Sequence, residues 1–503
     1  MMLRMLHKFK VRRQAPANKM TGIWLLCCIL GLASGVPAAH AAAQTAPSVQ
    51  QQSKTISYNG QAYTVKWITV DLEDPFLRIK PVTAKAGIGH VEAFDSMMKN
   101  NQAVAGVNGA FFDAYVSDDS ARYPNGLMIN SGNIVHSGVN QAFSVLPDKT
   151  AIIQQIKTAL KVRVDHNGSV YTFEPWAVNK YYGAAQTDQV VWYTREFGQK
   201  IDFPNTTKIV IRDGFITAIT QSAVSIPEDG QVCMVGNSSN NSTHLLPHLH
   251  VGDKVTFEPS LLNTATNAVT KLPQIDAAVG AGPLLLKNGV VDIDYKRDGF
   301  TDAKIVTNAN ARSFIGVDKT KRLVMGTMSA ATMNNMAQVL LKLGLTDAMN
   351  LDGGASSALY YNGTVLTKPG RLLSNAFIVE RMSQAQIQLV VNGSLVNEFR
   401  GYLLSETTMV PFRGILERIG ADFKWDGAAR TLSLKYGNQA LLLRPDSKVL
   451  EVNGETKMLD IAPTIKDGHI YLPLRAVIET LGGQVSWDAR LYRASLTFPS
   501  SAN

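Results

Sequence analysis

The chain has 503 residues, with 49 Lys and Arg against 40 Asp and Glu, for a formal net charge of +9. Six of the basic residues, Arg4, Lys8, Lys10, Arg12, Arg13 and Lys19, stand in the first 41 positions with no acidic residue among them, so the remainder carries only +3. That balance excludes the dense basic surface of a nucleic-acid binder, and Cys233, the single cysteine beyond that segment, excludes an intramolecular disulfide there.

The basic start leads into an apolar run from Ile23 to Leu32 and then Ala39-His40-Ala41. This order of charge, apolar run and small residues predicts a secretory signal peptide over residues 1–41, cleaved after Ala41. The apolar run is too short to span a bilayer comfortably, so no transmembrane anchor is expected after cleavage. Leu26 before Cys27 does not fit the small residue expected ahead of a lipidated cysteine. Residues 42–54, rich in Ala, Gln and Ser, read as a flexible spacer.

Between residues 55 and 380 the sequence is strand-rich. Ala62 to Val70, Phe76 to Val82, Ala103 to Val107, Lys208 to Ile211 and Arg322 to Gly326 alternate or run apolar between turn residues. Val91 to Lys99 and Met333 to Leu343 carry helical spacing, the latter with Thr332 placed to cap it and Gly344 to end it. The expectation is one large α+β domain. His244, His248 and His250 put three imidazoles within seven residues, but Pro247 interrupts them and no zinc-helix spacing is present, so a surface loop is expected and no metal.

A polar linker at 381–386 separates this domain from residues 387–498, which contain a repeat of 387–447 in 448–498. Pro411, Arg413, Gly420 and Trp425 recur as Pro473, Arg475, Gly482 and Trp487, each at an offset of 62. Val391-Asn392-Gly393 and Val452-Asn453-Gly454 supply the preceding hairpin turns. Each half reads as a hairpin, a short helix begun by Pro and Arg, a Gly stop and a strand opened by Trp-Asp, with the repeated residues acting as scaffold.

The segment Asn350-Leu351-Asp352-Gly353-Gly354-Ala355-Ser356-Ser357 places a carboxylate, two glycines and two hydroxyls at the end of a short strand, Ala348 to Leu351. The glycines can turn backbone N–H groups toward one point, a concavity that suits anionic oxygens. A tight turn that satisfies its own polar groups is the competing reading of this segment alone.

With these residues in view, the 55–380 region resembles the phosphodiester glycosidase family, the family of the N-acetylglucosamine-1-phosphodiester "uncovering" enzyme. The resemblance rests on ordered motifs between 106 and 376: Gly106 to Asp113, Pro124-Asn125-Gly126, Gly280 to Leu285, Ala311 to Asp318, Asn350 to Ser357 and Arg371 to Ala376. Ala110 and Ala355 stand where the family usually has glycine, and Ser313 where threonine is common. The C-terminal repeat resembles the stalk module of copper amine oxidases. With His469 as the only histidine after residue 380, that resemblance carries no copper chemistry.

The resemblance implies hydrolysis of a sugar-1-phosphodiester, with Asp352, Asp113 and Arg312 as the catalytic set. Arg312 would offer its fork to phosphate oxygens, and N–H groups near Gly280, Gly282, Gly353 and Gly354 would add donors. Asn108, Gly109, Ser356 and Ser357 would position sugar hydroxyls or a phosphate oxygen, and Phe111 and Phe112 would wall the site. No cofactor is called for, although a divalent cation held by Asp113, Asp352 and backbone carbonyls remains open. The implied partner is a glycan or glycosyl-phosphate, with cell-wall polymer a candidate for the stalk, which implies a secreted, wall-associated, Gram-positive-like protein. A non-catalytic glycan-binding protein on the same fold and an ordinary glycoside hydrolase stay as alternatives.

Overall fold

The computed structural model describes residues 47–498 apart from 184, 273, 386, 467–468 and 490. The signal-peptide expectation for 1–41 and the first part of the spacer therefore lie outside the described residues. Residues 49–54 do not form a spacer. They are the first half of the strand Val49–Tyr58, paired antiparallel with Gln61–Val70 through an Asn59-Gly60 turn. Its Gln- and Ser-rich text conceals it because the strand lies at a sheet edge and exposes most of its side chains.

Three main sheets make up the body that precedes residue 382. The first orders Val49–Tyr58, Gln61–Val70, Leu323–Ala331, Asn310–Asp318, Leu345–Asn350, Leu284–Lys287 and Val290–Val291, every neighbouring pair antiparallel. The second orders Thr364–Thr367, Leu359–Tyr361, Ala103–Asn108, Asn375–Arg381 and Leu77–Thr83. The third has 13 strands and runs through the long strands Ala151–His166 and Lys254–Asn263. One apolar core draws on all three, with Ile68 and Met325 from the first, Val107 and Phe377 from the second, and Phe143 and Val279 from the third. Burial of such side chains at about 25 cal/mol per Å² of apolar surface is the main stabilising term.

Helices are few and local. Met333–Leu343 forms as its spacing predicts: the Thr332 hydroxyl accepts from the Asn335 N–H, Met333, Met336, Ala337 and Leu340 are buried, and Gly344 closes the helix at φ +94. The helix expected at Val91 begins later, at Phe94–Asn100, because Glu92 exchanges backbone hydrogen bonds with Leu373 and Ala93 is extended. The strand expected to end at Gly326 continues to Ala331, held along its length by Asn310–Asp318. Among the described residues, no helix is long and apolar enough to cross a membrane.

After residue 386 the strands form separate sheets of seven and five, and Ile387–Val391 pairs parallel with Arg493–Thr497, so the first and last strands of the module close it. The Asn392-Gly393 and Asn453-Gly454 turns both take positive φ, as their sequence demands. One expectation is corrected. Trp425-Asp426 and Trp487-Asp488 end their strands, Asp422–Asp426 and Gln484–Asp488, rather than opening them. The cause is local: the Asp426 carboxylate accepts from the Ala428 and Ala429 N–H groups, and Asp488 from Leu491, which turns the chain.

Candidate active site

Three strand ends converge at the boundary of the first two sheets. Asn108 closes Ala103–Asn108, Asn350 closes Leu345–Asn350, and Asn375 opens Asn375–Arg381. Backbone bonds stitch them together: the Asp352 N–H donates to the Gly109 carbonyl (3.1 Å), Leu351 to Ser313 (2.9 Å) and Gly109 to Asn375 (3.3 Å). The two asparagine side chains complete the join. The Asn375 amide accepts from the Ala110 N–H and donates to its carbonyl. The Asn108 amide donates to the Asp352 carbonyl (2.7 Å) and accepts from the Ser313 hydroxyl and the Ala358 N–H.

Asp352 leaves this junction partly accessible. Burial raises that carboxyl to about 6, while the Ser356 hydroxyl, the Gly353 N–H and the charge of Arg371 pull in the opposite direction. A carboxyl with such a value changes charge in the mildly acidic range.

Beside it lies a cationic rim that the motifs did not single out. Arg371 acts on Asp352 and also places its guanidinium carbon 5.1 Å from the centre of the Tyr115 ring. Lys304 approaches the same tyrosine, its ammonium 3.2 Å from the hydroxyl and 4.5 Å from the ring centre. The hydrogen bond from Lys304, followed by that from Arg371, holds the Tyr115 hydroxyl below its ordinary value. The tyrosine is 77% exposed, so this cluster faces solvent and is open to a solute.

Arg312 has a different use from the one expected. Its guanidinium is buried and donates to three backbone carbonyls: Ala331 through Nε (2.8 Å), Lys304 through both terminal nitrogens (3.2 Å each) and Asn308. These bonds tie down the 303–308 segment that carries Lys304, which makes Arg312 a positioning residue behind the rim rather than a fork facing a ligand. The same holds for several glycines. The Gly280 N–H donates to Leu127 (2.7 Å), Gly282 to the Asn350 carbonyl (2.9 Å) and Gly353 to Asp352 itself, so these groups are already committed. A Cβ on Gly109 would stand 2.3 Å from the Asn375 amide oxygen, so the close approach of strands, not ligand binding, accounts for that glycine. Gly354 supplies the turn at φ +61.

Asn108 likewise braces the loop from behind, with its amide used on protein groups. Phe112 is buried in a core cluster with Phe94 and Met97, whereas Phe111 is half-buried and packs against Phe300 with ring centres 5.8 Å apart. Ser356 touches the carboxylate, while the buried Ser357 and Ser374 hydroxyls have no hydrogen-bond partner among the described residues. Asp113 is exposed on the loop after Asn108, where its carboxylate accepts from Asn125 (3.2 Å) and its charge is felt by Lys180. Of the sequence-derived set, the structure thus brings together Asp352, Gly353, Ser356, Asn108 and Gly109. It adds Arg371 and Asn375, which lay in a quoted motif without an assigned role, and Tyr115 and Lys304, which lay in none.

The fold and site define a strand-rich protein with one burial-tuned carboxylate beside a cationic rim. Residues 205–380 match the family model described as Phosphodiester glycosidase, and residues 390–495 match the Copper amine oxidase N-terminal domain. The chain is thus similar to the first family over 205–380 and to the second over 390–495. No curated protein matches it. Among solved structures it is similar to a hypothetical protein from Synechocystis, at 20% identity and a TM-score of 0.55, over 66% of this chain and 62% of that one. It is also similar to a Burkholderia pseudomallei protein described as a "Putative exported protein", at 17% identity and a TM-score of 0.51, over 63% of this chain and 74% of that one. These two likenesses establish the fold. The zebrafish N-acetylglucosamine-1-phosphodiester alpha-N-acetylglucosaminidase catalytic domain, auto-inhibited by its pro-peptide, aligns at 12% identity over 67% of this chain and 85% of that one, with a TM-score of 0.32.

Proposed function

We propose that this protein is an exported phosphodiester glycosidase that hydrolyses the bond between an anomeric carbon and a phosphodiester oxygen in envelope or extracellular glycans. The observation that carries the reading is the pairing of the Asp352 carboxyl, raised to about 6, with the charge of Arg371 and the Tyr115–Lys304 rim. A neutral glycoside has no use for two cations at the reacting centre, whereas a phosphodiester arrives with one negative charge and departs as a monoester with more.

In this mechanism Arg371 and Lys304 hold the phosphate oxygens and offset the charge that builds on the leaving phosphate. Above pH 6 the ionised Asp352 stabilises the oxocarbenium-like carbon and accepts the proton of the attacking water, so that C–O bonds break and form at the sugar and the phosphate leaves intact. Arg312 acts at one remove by fixing the Lys304 segment. Asp113 is kept as a second carboxylate on the facing loop, and Phe111 with Phe300 as an apolar wall. The C-terminal module, by this reading, spaces the enzyme from the wall or binds wall polymer.

The test is release of free sugar from UDP-N-acetylglucosamine and from a simple alkyl N-acetylglucosamine-1-phosphodiester, using wild type, Asp352→Asn and Arg371→Ala. Turnover by wild type that collapses in both variants supports the proposal. Glycan affinity without turnover on either phosphodiester, unchanged in Asp352→Asn, would replace it with a binding function.

A further inference from the structure

A second cluster of titratable groups stands at one end of the 13-stranded sheet. His166, His250 and Asp253 each present a ligating atom, and these atoms all lie within 4.8 Å of one another. The Asp253 carboxylate is 4% exposed and faces an imidazole with each oxygen: Oδ1 is 2.6 Å from His166 Nδ1, and Oδ2 is 3.3 Å from His250 Nδ1. The two imidazole rings lie with centres 4.3 Å apart and keep about half of their surface open to solvent.

The backbone fixes this convergence. His166 is the last residue of Ala151–His166 and pairs with Ser169 across an Asn167-Gly168 turn in which both residues take positive φ. The Asp165 carboxylate accepts from the Gly168 N–H and braces that turn. On the facing segment the Asp253 N–H donates to the His250 carbonyl, the His250 N–H donates to Asp253 Oδ2, and the Ile216 N–H donates to the Asp253 carbonyl. Gly252 turns the chain between them at φ +97. Three donors are thus held by two loops that are 87 residues apart at His166 and Asp253.

We propose that His166, His250 and Asp253 bind one divalent transition-metal ion of the Zn²⁺ type, with water completing the shell. Two imidazoles and one carboxylate are a borderline donor set, which favours zinc-like ions over Mg²⁺ or Ca²⁺. Metal–ligand bonds of about 2.1 Å at tetrahedral angles set the donor atoms about 3.4 Å apart. Asp253 Oδ2 already stands 3.3 Å from His250 Nδ1, and with all three donor atoms within 4.8 Å of one another, shifts of about 1 Å by the half-exposed His166 and His250 rings bring them to one ion. Binding through Nδ1 needs the His166 tautomer that carries its proton on Nε2, and the Asn167 amide, whose nitrogen stands 3.2 Å from Nε2, has to turn to present its oxygen to that proton. His248 is occupied elsewhere, stacked on Tyr171 with ring centres 4.0 Å apart. The ion would clip the hairpin that ends at Phe173 to the loop before Lys254–Asn263.

Calorimetric titration of the EDTA-stripped, dialysed protein with ZnCl₂, and Co²⁺ absorption in the visible range, test this without any reference to turnover. Wild type is compared with His166→Ala/His250→Ala and with a His244→Ala/His248→Ala control, and circular dichroism verifies that each is folded. The expected result is one ion per chain, an affinity at least about tenfold weaker in the first variant, no change in the control and no heat from MgCl₂. If His166→Ala/His250→Ala does not fold, the single exposed change His166→Gln carries the same expectation. Absence of a stoichiometric site in wild type, or undiminished affinity in the variant, overturns the proposal and leaves the phosphodiester glycosidase reading untouched.

Discussion

The strand-end cluster around Asp352 and the C-terminal repeat both show repeated or ordered motifs of Asp, Arg and Gly, yet they spend them differently. In the repeat, Asp426 and Asp488 are each satisfied by N–H groups of their own turns, and Arg475 pairs with Glu479 one helical turn away. Asp352 also accepts a local N–H, but burial outweighs that stabilisation and its carboxyl is pushed up to about 6. What sets the Asp352 motif apart is therefore not that it contains a carboxylate but that it desolvates one beyond what its local donors repay.

The strongest way to break this contrast is Asp352→Asn, expected to lower kcat by about 10³-fold or more while raising stability at pH 7, because the replaced carboxylate is ionised there at a burial cost. Thermal melts alongside turnover check both halves. Arg371→Ala comes next, with a loss of about 10²-fold in kcat/KM on the phosphodiester and little change in Tm. Arg312→Ala should show the reverse weighting. It orphans the carbonyls of Ala331, Lys304 and Asn308, costs about 2–4 kcal/mol of stability by denaturant titration, and Arg312→Lys restores little of it because a lysine lacks the planar fork.

The pH profile sharpens the comparison further. If Asp352 must be ionised, kcat/KM of wild type rises with pH through an inflection near 6, which Asp352→Asn abolishes. The sign for stability is opposite: a carboxyl raised in the folded state contributes stability as pH falls from about 6 toward its ordinary value, and loses that contribution as pH rises. Melts of wild type minus Asp352→Asn across that window isolate the term. The smallest effect is expected in the repeat, where Asp426→Ala removes an exposed turn and costs about 1 kcal/mol or less, with turnover unchanged.

What could be read from sequence follows the same physics. The helix Met333–Leu343 was legible from its apolar spacing, Thr332 and Gly344, and the Asn-Gly turns from the positive φ they require. The Asp352 loop stood out because glycines and hydroxyls flank a carboxylate at a strand end. Arg312 was misassigned because its partners are carbonyl oxygens, which every residue has and no motif records. Tyr115 and Lys304 left no periodic trace because they sit, 189 residues apart, on an exposed loop and in a single-turn helix, Ala303–Val306. Residues 49–54 escaped as a strand because an exposed edge strand need not alternate in polarity. The His166–His250–Asp253 cluster was missed for a related reason: His250 was read with its sequence neighbours His244 and His248, which lie in a short helix and a 3₁₀ turn, whereas one of its partners, His166, comes from a distant hairpin.

The Asn108 amide meets the Asp352 carbonyl across 244 residues, and Asn375 meets Ala110 across 265. Neither junction can form in a fragment limited to 205–380, the span that matches the phosphodiester glycosidase model, since Asn108 and Ala110 lie outside it. The Asp352 junction is therefore a property of residues 108–375 taken together: its last side-chain partner is supplied only when Asn375 has been synthesised.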